Sequence, residues 1–157
     1  MNPREPLIIN GWQIYAHTLF IDQFESLAVQ VKKLSHKYPD EYKGKRKTKL
    51  LAAISKLAFE IIPQDPTLPK YRQGNTLGSE YKHWFRAKFF QQYRLFFRYH
   101  LKQQVIVYVW VNDEKSKRAY GSSSDAYTVF RKMLDSGNPP NDWDELLRRV
   151  TSNSKQL

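Results

Sequence analysis

The sequence predicts a small α+β domain, and three observations predict it. Apolar residues recur at steps of three and four through the first third of the chain, the spacing of amphipathic helices. The period then drops to two between Trp84 and Trp110, the spacing of strands. The gaps inside that region are three and four residues long, which makes its strands antiparallel neighbours.

The elements follow in order. Gly11 to Ala16 predicts a short opening strand, with Trp12, Ile14 and Ala16 alternating against Gln13 and Tyr15. Phe20, Phe24, Leu27, Val31, Leu34 and Tyr38 form one stripe of a first helix that Pro39 ends. A second helix runs from about Lys45 to Ile62, burying Leu50, Leu51, Ile54, Leu57, Ala58 and Ile61. Pro63, Pro66 and Pro69 enforce an extended connector that reaches turn signals at Gly74 and Gly78. Three strands follow, Trp84 to Phe89, Tyr93 to His100 and Val105 to Trp110. A helix from about Ser124 to Leu134 carries Phe130 and Leu134 on its apolar stripe and closes at Gly137. After Pro139 and Pro140 a last short helix spans Trp143 to Val150, and a polar tail occupies 151–157. The 157 residues make one domain, large enough for a core without disulfide or metal staples.

Charge narrows the function. Twenty-six Lys and Arg against fifteen Asp and Glu leave +11, which points to a polyanionic partner. Hydrophobic residues at 41% and aromatics at 15% exclude a disordered basic protein. Absence of cysteine excludes disulfides, thiolate metal sites and Cys nucleophiles. The longest unbroken apolar run, Val105 to Val111, is seven residues, far short of the roughly 20 that cross a bilayer. Leu7 to Ile9 is too short for the core of a secretion signal. These features lead us to expect a cytoplasmic protein without a membrane partner. The four histidines lack metal-ligand spacing, no carboxylate cluster suits magnesium, and no glycine loop suits a nucleotide phosphate, so neither metal nor cofactor is expected.

Strand alternation sorts the central region into two faces. Phe85, Ala87, Phe89, Tyr93, Leu95, Phe97 and Tyr99 form a core face for the two N-terminal helices. The other face carries Arg86, Lys88, Arg94 and Arg98 beside Phe96, Tyr108 and Trp110, and is expected to stay uncovered by the chain's own helices. Between Lys82 and Lys102 stand six basic residues and no Asp or Glu. Like charges on neighbouring strands repel, so an unmixed patch implies a missing anion. Guanidinium forks hold phosphates and aromatic faces hold unstacked bases, a combination that suits single-stranded RNA. The bland reading is a solvated basic face. A second basic run, five residues in the seven from Lys43 to Lys49, is either another phosphate strip or a solvated helix start.

RNA is cut without metal once a base takes the 2′-hydroxyl proton, an acid protonates the leaving oxygen and cations stabilise the phosphorane. The segment after the third strand adds Arg118, Tyr120, Asp125 and Tyr127 beside the basic face. His17, alone after a strand, reads as a structural hydrogen-bonding residue.

Several stretches carry a resemblance. YRLFFRY at Tyr93 to Tyr99, WVNDE at Trp110 to Glu114, RAYG at Arg118 to Gly121, DAYTVFRKML at Asp125 to Leu134 and GNPPNDW at Gly137 to Trp143 resemble the YhaV family of bacterial toxins, within the RelE/ParE superfamily. GWQIYAH at Gly11 to His17 and KLLA at Lys49 to Ala52 extend it. The resemblance implies a RelE-like α+β fold and a metal-independent mRNA endoribonuclease that acts on translating ribosomes. It implies a PrlF-type antitoxin as partner, and operator DNA bound through the toxin-antitoxin complex. By position, Arg86, Lys88 and Arg94 would bind the scissile phosphate, Arg118 would do likewise, and Tyr120 or Lys88 would move protons. Arg98, Lys82, Tyr108, Trp110, Asp125 and Tyr127 would contact RNA. The first hairpin departs from the family pattern, with Phe90, Gln91 and Gln92 where that pattern has glycines, which leaves the register of Arg94 against Lys88 open. Two other classes remain: a non-enzymatic RNA or ribosome binder, and a ParE-like gyrase inhibitor.

Overall fold

Two short strands, β1 (Leu7–Ile9) and β2 (Trp12–Ala16), open the chain as a hairpin in the computed structural model, which describes residues 5–113, 125–152 and 157. Asn10 and Gly11 turn it with φ of 51° and 82°, the left-handed pair that a two-residue type I′ turn requires. Strand β1 is not among the elements expected above, although Asn-Gly between apolar runs is a hairpin signal. Helix α1 (Thr18–Lys37) follows directly, its first turn closed by His17, whose Nδ1 accepts from the Leu19 N–H at 3.1 Å.

Helix α2 (Arg46–Lys56) continues into a π turn over Leu57–Ile61 and a 3₁₀ turn at Ile62–Gln64, where Pro63 ends it. The connector that follows is not simply extended: it winds through 3₁₀ turns at Pro69–Tyr71 and Ser79–Tyr81. Strands β3 (Phe85–Phe89), β4 (Tyr93–His100) and β5 (Val105–Val111) then form an antiparallel meander. The sheet order is β1-β2-β5-β4-β3: the three meander strands are antiparallel as expected, and β2 joins them parallel to β5. Helix α3 (Ala126–Asp135) ends in a Schellman motif: Asn138 N–H donates to Met133 and Gly137 N–H to Leu134, with Gly137 at φ 84°. Helix α4 (Trp143–Ser152) starts on Asp142, whose carboxylate accepts from the Glu145 N–H at 3.0 Å.

The sheet is covered on both sides. One face packs under α1 and α2 through Phe20, Ile54, Ala58, Leu95, Phe97 and Tyr108. The other packs under α3 and α4, where Phe130 stacks on Phe96 at 4.2 Å and Leu146 and Val150 close the layer. The expectation of an uncovered basic face is therefore corrected. The physical reason lies in α3: its apolar stripe of Tyr127, Phe130 and Leu134 needs a surface to bury against, and the second sheet face supplies it.

A bulge in β5 corrects a second expectation. Phe97 pairs with Tyr108 but Phe96 pairs with Trp110, so Val109 is an extra residue and the faces exchange across it. Tyr108 consequently joins the α1/α2 core, fully buried, with its hydroxyl donating to the Ala58 carbonyl of the π turn at 2.5 Å. Trp110 joins the opposite core, its ring 5.8 Å from Phe130 and nearly parallel to it. Neither ring offers a face to a base.

Candidate functional site

The β3–β4 hairpin sets the site. Its loop places Phe90 and Gln91 at φ 45° and 62°, left-handed values that glycine would adopt more easily. The register nonetheless holds: Phe89 faces Tyr93, Lys88 faces Arg94 and Arg86 faces Phe96. Asn112, just beyond β5, pins this end. Its Oδ1 accepts from the Arg94 N–H at 2.6 Å and its Nδ2 donates to the Gln92 carbonyl at 2.9 Å. Asn112 falls within the WVNDE stretch, but its role has no local signature, because the bond it makes crosses eighteen residues.

Beneath the hairpin two guanidinium groups meet one phenol. Arg86 Nε donates to the Tyr127 hydroxyl at 2.8 Å, and Arg94 Nε donates to the same oxygen at 3.1 Å. Arg86 Nη1 also donates to the Lys70 carbonyl, and Arg94 Nη1 to the carbonyls of Gln91 and Tyr93. Both arginines are buried, as is Tyr127, which α3 delivers from its first turn. Charge-assisted bonds of this kind fix both side chains in one orientation. Two positive charges are thereby held side by side next to Lys88, which is exposed at the strand end.

Arg98, four residues along β4, is employed differently. Its guanidinium lies between two indoles, 5.2 Å from the Trp84 ring and 5.3 Å from the Trp143 ring. Nη1 donates to the Asn141 carbonyl, while Nε is buried without a hydrogen-bond partner. Burial pushes its pKa down to about 10, against the opposing charge of Asp142, which leaves it a cation at neutral pH. Arg98 clasps the start of α4 to the sheet and contacts the protein rather than an open face.

The remaining candidates scatter. Asp125 is buried at the start of α3, its carbonyl accepting from the Val129 N–H. Lys82 is exposed before β3, beside Arg72, Phe85 and Tyr99. Arg118 and Tyr120 lie outside the described residues. In the basic run, Arg46 donates to the Tyr93 hydroxyl at 3.2 Å and Lys45 sits 4.6 Å over the Tyr38 ring. Between α1 and α2 opens a cavity of about 570 Å³, lined by Phe20, Phe24, Leu27, Leu50 and Ile54 with Arg46 and Lys47 at its rim. Among the described residues no group of three or more His, Asp or Glu is placed to hold a metal ion, and no helix is long and apolar enough to cross a membrane.

Comparison with known proteins adds a family. A family model described as a toxin with endonuclease activity, of a toxin-antitoxin system, matches residues 14–151. The ribonuclease toxin YhaV of Escherichia coli K12 is 47% identical over 147 residues, 92% of this chain and 96% of that protein. Toxin YhaV of Escherichia coli O157:H7 and that of strain O6:H1 are similar to the same extent. No solved structure matches the chain.

Proposed function

We propose, from the premise that this chain belongs to the YhaV family of toxins with endonuclease activity, that it is a cytoplasmic ribonuclease cutting messenger RNA without a metal ion. The observation that carries this reading is the convergence of Arg86 and Arg94 on the Tyr127 oxygen directly beside exposed Lys88. A rigid pair of cations next to an exposed one suits a phosphate whose negative charge grows during reaction, because preorganised charge needs no rearrangement as the transition state forms.

In the proposed reaction the ribose 2′-oxygen attacks the adjacent phosphorus, and the bond from phosphorus to the 5′-oxygen breaks. The 2′-hydroxyl proton passes to a base and the leaving 5′-oxygen takes a proton from an acid. A 2′,3′-cyclic phosphate and a 5′-hydroxyl remain. Lys88 contacts the scissile phosphate, with Arg86 and Arg94 supplying fixed positive charge behind it. Tyr120 or Lys88 moves the protons, and Arg118 adds charge. Tyr127 is a positioning residue for both arginines.

A toxin of a toxin-antitoxin system has an antitoxin partner. We assign that partner to the PrlF type, with operator DNA read through the complex and with the ribosome as the place where RNA is met. The test is 5′-end mapping of mRNA after brief induction in a bacterial host, with wild type beside Lys88→Ala, Arg94→Ala and Tyr120→Phe. New 5′-hydroxyl ends inside coding regions, lost in the variants, are expected. Growth arrest with intact mRNA would overturn the nuclease in favour of binding alone.

A further inference from the structure

Strand β3 is an edge strand, and a cavity that the arginine pair does not use opens beside it. The cavity measures about 430 Å³ and is lined by Arg72, Gly74, Asn75, Lys82, Phe85 and Tyr99. Its floor is aromatic: the Phe85 and Tyr99 rings, on neighbouring strands, lie 4.7 Å apart with planes 30° from parallel. Trp12, on the same side of the sheet, meets Tyr99 edge-on at 6.2 Å, so the floor continues into the α1/α2 core. The rim is polar, with Arg72, Asn75 and Lys82 all exposed and no carboxylate among the lining residues. Arg72 is held at the edge by a bridge to Phe85.

A half-buried aromatic floor with cations on its rim matches one ligand chemistry well. An unpaired nucleobase stacks on the rings, its phosphates reach the cations, and a side-chain amide offers both a donor and an acceptor to the base edge. The volume falls within the roughly 300–1,000 Å³ of small-molecule sites and accommodates a single nucleotide. A duplex is excluded from such a site, since its bases are stacked on each other. We propose that this cavity is a nucleotide subsite for one unstacked base of a single-stranded RNA, with Phe85 and Tyr99 as the platform, Arg72 and Lys82 on phosphates and Asn75 reading the base. This rests on the ribonuclease reading and adds to it a place where base preference is set. Phe85 and Lys88 stand three residues apart on the edge strand, roughly 10 Å. The two lie on opposite faces of the sheet, the cavity on the α1/α2 side and Lys88 on the α3/α4 side, so an RNA strand meets both by crossing the open edge of β3.

The test uses the full chain and two RNA hexamers, one ordinary and one 2′-O-methylated throughout, each with a 5-bromouridine. Irradiation of the uncleavable hexamer is expected to crosslink it to Phe85 or Tyr99, mapped by mass spectrometry. Tyr99→Leu keeps an apolar side chain against Trp12, and together with Tyr99→Ala it should weaken hexamer binding by between about fivefold and about a hundredfold, the range for loss of a stacked base. The double variant Arg72→Ala, Lys82→Ala, at two exposed positions, should flatten the dependence of log K on log salt by roughly 0.7 for each phosphate that is no longer neutralised. Asn75→Ala should change which base is preferred at one position near the cut in the ordinary hexamer. Crosslinks confined to other residues, or hexamer affinity unchanged in Tyr99→Leu and in the double variant, would overturn the subsite. Failure of wild type to cut the ordinary hexamer would instead count against the ribonuclease reading, and crosslinking of the uncleavable strand would still decide the subsite.

Discussion

Arg94 and Arg98 sit on the same strand, point to the same sheet face and lie four residues apart, yet they do opposite things. Arg94 is tied to the hairpin carbonyls and to a phenol that it shares with Arg86. Arg98 is wedged between two indoles, with one nitrogen buried and unpartnered. At the first end, protein oxygens hold two charges fixed beside the exposed Lys88. At the second, a charge is consumed in fastening α4 to the sheet. A basic face read from alternation alone merges the two, because residue type and strand position are identical. What separates them is the neighbour each meets across the fold.

The largest expected effect tests that separation directly. Arg94→Met should lower kcat/KM on an RNA oligonucleotide by about 10²–10³-fold, the cost of removing one preorganised positive charge from behind a developing anion. Arg98→Met should leave cleavage within a few-fold of wild type, and should shift unfolding stability in urea by less than about 2 kcal/mol. Replacing a buried cation by an apolar side chain of similar volume relieves desolvation as it removes the cation–π interactions. Arg98→Ala, which leaves a void between the indoles, should cost more, about 2–4 kcal/mol. Equal loss of cleavage in Arg94→Met and Arg98→Met would break the comparison.

Next in size is the phenol itself. Tyr127→Phe removes the acceptor for two buried, charged N–H groups while leaving the ring against Phe96, 5.7 Å away. Stability should fall by about 2–4 kcal/mol, since an unsatisfied buried donor carries its full desolvation cost. Cleavage should fall at least tenfold through kcat, because the arginines lose their aim rather than their charge. Full activity in Tyr127→Phe would show that strand backbone alone orients Arg86 and Arg94.

The two ends of β4 also differ in how far the sequence discloses them. The strands themselves are legible, because alternation in β3 and β4 is clean and the gaps have hairpin length. Lys88 opposite Arg94 follows from that register. The Val109 bulge does not, since Val105 to Val111 is apolar throughout and a slip of one residue leaves no polar side chain on the wrong face. Alternation misplaces Tyr108 for that reason. The Tyr127 phenol and the Asn112 amide act across 33 and 18 residues of chain, with no local spacing to announce them. The covered second face is inferable in principle: an amphipathic α3 demands something to cover. Asn10-Gly11 likewise announces the β1–β2 hairpin.

The smallest expected effect is a pH dependence confined to the side of the molecule that holds α4. His17 caps α1 with a neutral Nδ1, and burial, followed by the nearby charge of Arg149 on α4, lowers its pKa below the ordinary 6.5. His83 bonds Asn141 beside Arg98 and is lowered in the same direction, first by burial and then by Arg98, against the opposing Asn141 hydrogen bond. A histidine whose folded pKa is depressed binds protons more readily when unfolded. Its contribution is therefore complete above pH 6.5 and is lost as pH falls below that value through the folded pKa. Because His83 is exposed and screened by solvent, His17 should dominate, with a slope no steeper than about 1.4 kcal/mol per pH unit. Urea unfolding of wild type from about pH 8 to about pH 5 should show this loss, and hydrogen exchange should place the earliest opening in α4 rather than in the β3–β4 hairpin. His17→Asn keeps a cap acceptor that does not titrate, so it should flatten most of the slope. A slope unchanged in that variant, or exchange that begins at the hairpin, would mean that acid reaches the Arg94 end first and that the two ends are not independent.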